Sequence, residues 1–170
     1  MTTANVSFTP KDVMALREKT GLGMMDCKAA LAEANGDMAK AEEILRTKMR
    51  GKMDTRTERT TAEGRVNIAI SGSDAAIVEV QCETDFTARN ADFQKMVGDV
   101  TQLALKAAPG TVAANDAIKK RVDDVRITTG ENMSFKRGEH LKGGQFGSYL
   151  HHDGKRGALV QVEGGTVVGV

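Results

Sequence analysis

Apolar positions recur along this chain with two periods, and the change from one to the other is clearest between residues 75 and 107. Val78, Val80 and Cys82 alternate with Glu79, Gln81 and Glu83, the pattern of a half-buried strand. Phe93, Met96, Val97, Val100, Leu103, Ala104 and Ala107 follow at three- and four-residue spacing, which places them on one face of a helix. Between these elements lie residues 83–90, a polar corner without glycine or proline that carries Phe86 beside Asp85. A phenylalanine at such a corner either folds back as a plug or points outward as a binding anchor. Solitary aromatics usually pack on their own domain, whereas aromatics are enriched among anchors. Periodicity leaves both readings open.

The N-terminal third predicts three short helices. After a loose tail over residues 1–8, Thr9 can cap a helix with Pro10 at its first position and Asp12 near its positive end. Val13 and Leu16, with Met14 beside them, supply its apolar side, and Gly21 stops it. Gly21-Leu22-Gly23 reads as a tight connector. Met24, Cys27, Ala30, Leu31 and Ala34 line a second helix ended by Asn35-Gly36. Asp37 caps a third, which buries Met38, Ala41, Ile44, Leu45 and Met49. Residues 46–64 then carry Arg46, Lys48, Arg50, Lys52, Arg56 and Arg59 with few apolar partners. Interleaved Asp54, Glu58 and Glu63 favour a solvated helix end and linker over a nucleic-acid patch.

Alternation resumes with Val66, Ile68 and Ile70, and the turn cluster 71–74 joins this strand to the one at residue 76 as a β-hairpin. Ala108-Pro109-Gly110 ends the Phe93 helix. A further helix over residues 115–128 buries Ala117, Ile118, Val122 and Val125, and Gly130-Glu131-Asn132 turns the chain into a strand over 133–141. Lys142-Gly143-Gly144 is a joint before a second hairpin, 146–151 and 157–163, with Asp153-Gly154 at its tip. The second hairpin resembles the first: residues 76–80 align with 158–162, and Thr84 falls on Thr166. A repeated helix would then follow residue 170. The expectation is that the chain is shortened there, or that its apolar end pairs with another chain, a second copy included.

Composition narrows the function classes. The chain has 170 residues and a net charge of +1, so no global field points to nucleic acid or an acidic membrane. With no Trp, one Tyr and five Phe, stacking on single-stranded bases is poorly supported. Cys27 and Cys82 sit inside apolar patterns and read as core residues of a cytoplasmic, reducing environment. No secretory signal and no membrane span are expected. A metal site from His151, His152 and Asp153 is disfavoured, because three adjacent ligands on a strand and turn do not face one ion. No Gly-Lys-Ser or Gly-Lys-Thr follows a glycine pair, so no phosphate loop is expected.

Three stretches carry a family resemblance. The first is Leu16-Arg17-Glu18-Lys19-Thr20-Gly21-Leu22-Gly23-Met24-Met25-Asp26-Cys27-Lys28-Ala29-Ala30-Leu31 with Glu33-Ala34-Asn35-Gly36-Asp37 behind it. The second is Cys82-Glu83-Thr84-Asp85-Phe86, and the third is Gly147-Ser148-Tyr149-Leu150-His151. In order and spacing these resemble bacterial translation elongation factor Ts over nearly the whole chain after the tail. The resemblance implies an α+β fold, an N-terminal three-helix ubiquitin-associated-like bundle followed by an antiparallel sheet with packed helices. It divides the chain into a bundle over 1–50, a charged linker over 51–63, a first core half over 64–145 and the start of a second half over 146–170.

The implied function is guanine-nucleotide exchange on elongation factor Tu, with no enzyme chemistry, no cofactor, no metal, and no direct contact with nucleic acid or membrane. Phe86 would insert between two helices of the partner's nucleotide-binding domain. Asp85 would act beside it near the Mg²⁺ and phosphates, with Thr84 in the same motif. Arg17, Met24, Met25, Gly130 and His151 match further partner-binding positions, while Thr129 stands where the family commonly has isoleucine. Two rivals remain: an adaptor that binds through the bundle without exchange activity, and a small enzyme using Glu79, Glu83 and Asp85 as acids and bases.

Overall fold

Thr9 and Asp12 set the first element by satisfying each other's backbone. In the computed structural model, which describes residues 8–55 and 57–164, the Thr9 hydroxyl accepts the Asp12 N–H at 3.4 Å. The Asp12 carboxylate accepts the Thr9 N–H at 2.7 Å, closing a capping box. The bonds the Asp12 carboxylate accepts, first from the Thr9 N–H and then from the Thr9 hydroxyl, hold it below its usual range. Helix α1 spans Pro10–Thr20 and stops at Gly21 in the left-handed conformation. Helix α2 spans Met24–Glu33, and α3, capped by the Asp37 carboxylate, spans Met38–Asp54. Val13, Leu16, Leu22, Cys27, Leu31, Ala41, Leu45 and Met53 form the interior of this bundle.

Several expectations are corrected here. Helix α3 continues to Asp54, into the stretch read as linker, because Met53 extends the buried Leu45 face by two further turns. Leu22 is a buried residue and more than a connector, whereas Met14 is exposed. Met38, Ile44 and Met49 are half-buried.

The chain divides into two compact units, Met1–Thr57 and Glu58–Val170. In the second, β1 (Glu63–Ser71) and β2 (Asp74–Cys82) form the expected hairpin, with Glu63 paired to Cys82 and Ser71 to Asp74. A short helix α4 (Asp85–Arg89) leads into α5 (Ala91–Ala104). Strand β3 (Gly110–Thr111), α6 (Asp116–Thr129) and β4 (Met133–Lys142) follow. The antiparallel sheet has the order β1-β2-β4-β3. Strands β5 (Gln145–Leu150) and β6 (Gly157–Val162) make a separate antiparallel pair that packs against β1 and β2.

Helices α5 and α6 cover one face of the larger sheet. Val78, Val80 and Cys82 meet Phe93, Met96, Val97 and Val100 there, with Ile118, Val122 and Val125 closing the core. Ala117, expected inside, is exposed, since it lies off the Ile118–Val122–Val125 stripe. Gly64 has φ +153°, and a Cβ there would stand 2.3 Å from the Val80 carbonyl oxygen, so only glycine fits against β2. The two hairpin segments that align in sequence differ in burial: Val78 and Val80 are covered by α5, whereas Val160 is exposed. Residues 1–7 of the expected tail, Arg56, the apolar end over 166–170 and the Thr84–Thr166 correspondence lie outside the described residues.

Candidate partner-binding site

The corner between β2 and α5 is a helical turn held by a cap at each end. Thr84 is extended, its hydroxyl accepts the Thr87 N–H at 3.3 Å, and its carbonyl accepts the Ala88 N–H at 3.1 Å. At the other end the Asn90 side chain accepts from Asp92 N–H at 2.7 Å and Phe93 N–H at 3.4 Å, starting α5 without a spacer. Thr87 and Ala88 are buried beneath the turn. Phe86 is 83% exposed, so its ring points into solvent and does not plug the domain. Asp85, beside it, is paired to Arg89 at 3.1 Å.

The floor of the turn is fixed by Cys82. Its thiol donates to the Thr84 carbonyl at 3.2 Å. Burial, reinforced by the negative charges of Glu131 and Glu63, pushes this thiol up to about 12, so it stays a protonated donor. Gly130 ends α6 at φ 71°, where its left-handed geometry turns the chain to present Glu131 to Thr84. The β5–β6 turn stands on the other side. Val66 N–H donates to the Gly154 carbonyl at 2.7 Å, tying that turn to β1. A cleft of about 260 Å³ separates it from α4, with Asp85 and Arg89 on one wall and His152, Asp153 and Lys155 on the other. His151, half-buried, has Nδ1 at 2.6 Å from the Tyr149 hydroxyl and Nε2 at 3.7 Å from Asp153.

Thr84, Asp85 and Phe86 are thus carried by a turn of the second unit that meets the Gly130 turn through Glu131 and faces the β5–β6 turn, where His151 stands, across the cleft. Arg17, Met24 and Met25 belong to the helical unit, where all three are exposed, Met25 at 74%. Met14 joins them as an exposed apolar side chain of that unit. Glu131 was missed by sequence reasoning. Its only signal was an acid following the glycine that ends a helix, and the fold brings it to Thr84 from 47 positions away.

The carboxylates of the acid–base reading are already engaged. Glu79 pairs with Arg137 at 2.7 Å, Glu83 accepts the Asn132 N–H at 2.6 Å, and Asp85 holds Arg89. Among the described residues, no three of His, Cys, Asp and Glu are grouped to hold a metal ion. No helix among them is long and apolar enough to cross a membrane.

The fold is α+β, a helical bundle followed by an antiparallel sheet with packed helices, and among the described residues its most exposed large apolar side chain is an aromatic on a capped turn. The model of the family described as elongation factor TS matches residues 83–168, which includes that turn. Elongation factor Ts of Thiobacillus denitrificans is 46% identical over 171 residues, covering 95% of this chain and 59% of that protein. The elongation factors Ts of Sinorhizobium fredii and Bordetella parapertussis are each 42% identical, covering 93% and 92% of this chain and 56% and 57% of their own length. The chain belongs to the elongation factor Ts family. It spans somewhat more than half the length of the curated relatives it matches.

Proposed function

We propose that this chain promotes guanine-nucleotide exchange on elongation factor Tu, with Phe86 as an anchor that enters the partner's nucleotide-binding domain and Asp85 acting beside it near the Mg²⁺ and phosphates. The observation that carries this reading is the exposure of Phe86 on a turn capped at both ends. A ring held by a rigid support loses little freedom when it is buried by a partner. Burying it is worth about 2–3 kcal/mol. That makes a hot spot but does not by itself expel a tightly held nucleotide, so further contacts are required. Gly130 and His151, on the neighbouring turns, and the exposed Arg17, Met24 and Met25 of the helical unit are the residues assigned to them. In this reading the helical unit docks, the region to residue 145 is a first core half, and residues 146–170 open a second.

The mechanism is coupling between two binding equilibria. If the chain weakens GDP binding to its partner, GDP weakens the chain's binding by the same factor. GTP then refills the empty site and helps to displace the chain. No covalent bond changes, so neither a nucleophile nor a general base takes part. The site of action is cytoplasmic, where the partner works.

The exposed Met24 and Met25 support a second reading, an adaptor that binds through the bundle without exchange activity. Release of fluorescent GDP from elongation factor Tu separates the two. Phe86→Ala should slow release about tenfold or more, equivalent to about 1.4 kcal/mol or above, while leaving thermal stability nearly unchanged. In the adaptor reading Phe86→Ala leaves partner affinity as it was, and the unmodified chain does not accelerate release.

A further inference from the structure

The β2–β4 ladder ends with Cys82 opposite Met133. Continuing its register sets Glu83 opposite Asn132 and Thr84 opposite Glu131, and there two carboxylates take over from the backbone. Glu83 Oε1 accepts the Asn132 N–H at 2.6 Å. In return Glu131 Oε2 accepts the Thr84 N–H at 3.2 Å, and its Oε1 accepts the Thr84 hydroxyl at 2.6 Å. Each loop thus lends its acid to the other's backbone. Asn132, buried, donates from Nδ2 to the Arg59 carbonyl at 2.9 Å, and Arg59 reaches Glu83 Oε2 at 3.4 Å. Bonds to ionised acceptors are stronger than neutral ones.

The chemistry of the Thr84 hydroxyl gives this clasp a direction. An ionised carboxylate only accepts, so the hydroxyl proton must point to Glu131. Its lone pairs are then free for the Thr87 N–H, which is the cap of α4. Five residues are far too few for a helix to hold itself. The orientation of α4, and of the exposed ring on it, therefore depends on its anchors, of which Thr84 is the one at its N-terminal end.

We propose that Glu131 is the positioning residue for the Phe86 turn, clasping Thr84 by both backbone and hydroxyl while Glu83 makes the reciprocal bond to Asn132, so that the ring is presented in one orientation before the partner arrives. This rests on the reading of Phe86 as the anchor. Glu131 itself need not touch the partner. Its effect passes through Thr84, and it disappears when the ring is gone.

The test is release of fluorescent GDP from elongation factor Tu by the unmodified 170-residue chain, Glu131→Ala, Glu131→Gln, Phe86→Ala and each Glu131 variant combined with Phe86→Ala. Thermal melting is recorded beside it. Glu131→Ala should slow release about tenfold with Phe86 present and have no further effect in Phe86→Ala. Glu131→Gln has one acceptor oxygen for two donors and should lose about threefold, again only with Phe86 present. Full exchange by Glu131→Ala overturns the proposal. An equal loss in both backgrounds also overturns it, because a general structural defect would act without the ring. Should Glu131→Ala fail to fold, the same comparison with Glu131→Gln decides by the same two outcomes. Failure of the underlying anchor reading looks different: Phe86→Ala itself then exchanges as fast as the unmodified chain.

Discussion

Phe86 and Phe93 stand on successive elements and do opposite work. Phe93 is fully buried under α5 against β2, while Phe86 has most of its ring in water. The energetic consequences separate accordingly. Phe93→Ala empties a volume that close-packed neighbours refill only in part and should cost about 3–5 kcal/mol in urea denaturation. Phe86→Ala removes almost no folded-state contact and should stay within about 0.5 kcal/mol by the same measurement. The different fates of the two rings were only half legible in the sequence. Phe93 lies on a long apolar period that names its face. Phe86 lies in none, and whether such a ring plugs or projects depends on the caps around it. Glu131 was less legible still, since an acid in a turn shows its partner only when the chain has folded.

At the scale of elements, helices α5 and α6 are joined through Asp99. Its carboxylate receives Arg121 Nε at 2.8 Å from α6 and Lys95 Nζ at 3.1 Å from its own helix. Burial alone would raise its pKa, but the bonds from Arg121 and Lys95 outweigh it and hold the group below the usual carboxylate value. A carboxyl depressed in the folded state stabilises above its unfolded pKa, and that contribution is lost as pH falls through the folded one. The stability gap between the unmodified chain and Asp99→Asn should therefore be full above about pH 4 and shrink in more acid solution, as read from urea midpoints across a pH series.

Elements with long periods were legible: α5, the β1–β2 hairpin and β4 lie within a few residues of where alternation and helical spacing place them. Helix α4 was not, because five residues are too short to display a period. Strand β3, two residues long, carried no alternation and exists through its pairing with β4. The far end of α3 was hidden by charge: Lys48, Arg50 and Lys52 face solvent while Met49 and Met53 continue the stripe.

On the scale of the whole molecule, the chain is two units, each with its own interior. The second contains the four-stranded sheet, both covering helices and the three turns of the candidate site. Residues 58–170 alone should therefore melt cooperatively and keep the α4 turn, which circular dichroism and amide exchange of residues 84–90 would register. The sequence carried the α+β class well, because helical periods dominate the first third and strand alternation opens the second. It did not carry the junction of the clasp, which joins residues far apart along the chain.

In the proposed function, a pre-set and exposed Phe86 couples this chain to nucleotide release by elongation factor Tu. The direct measurement is the rate of fluorescent GDP release from elongation factor Tu with the unmodified chain and with Phe86→Ala, each checked for an unchanged melting temperature. The expected result is rapid release that Phe86→Ala slows about tenfold or more. Equal rates for the two proteins, with both folded and both bound to the partner, would contradict it.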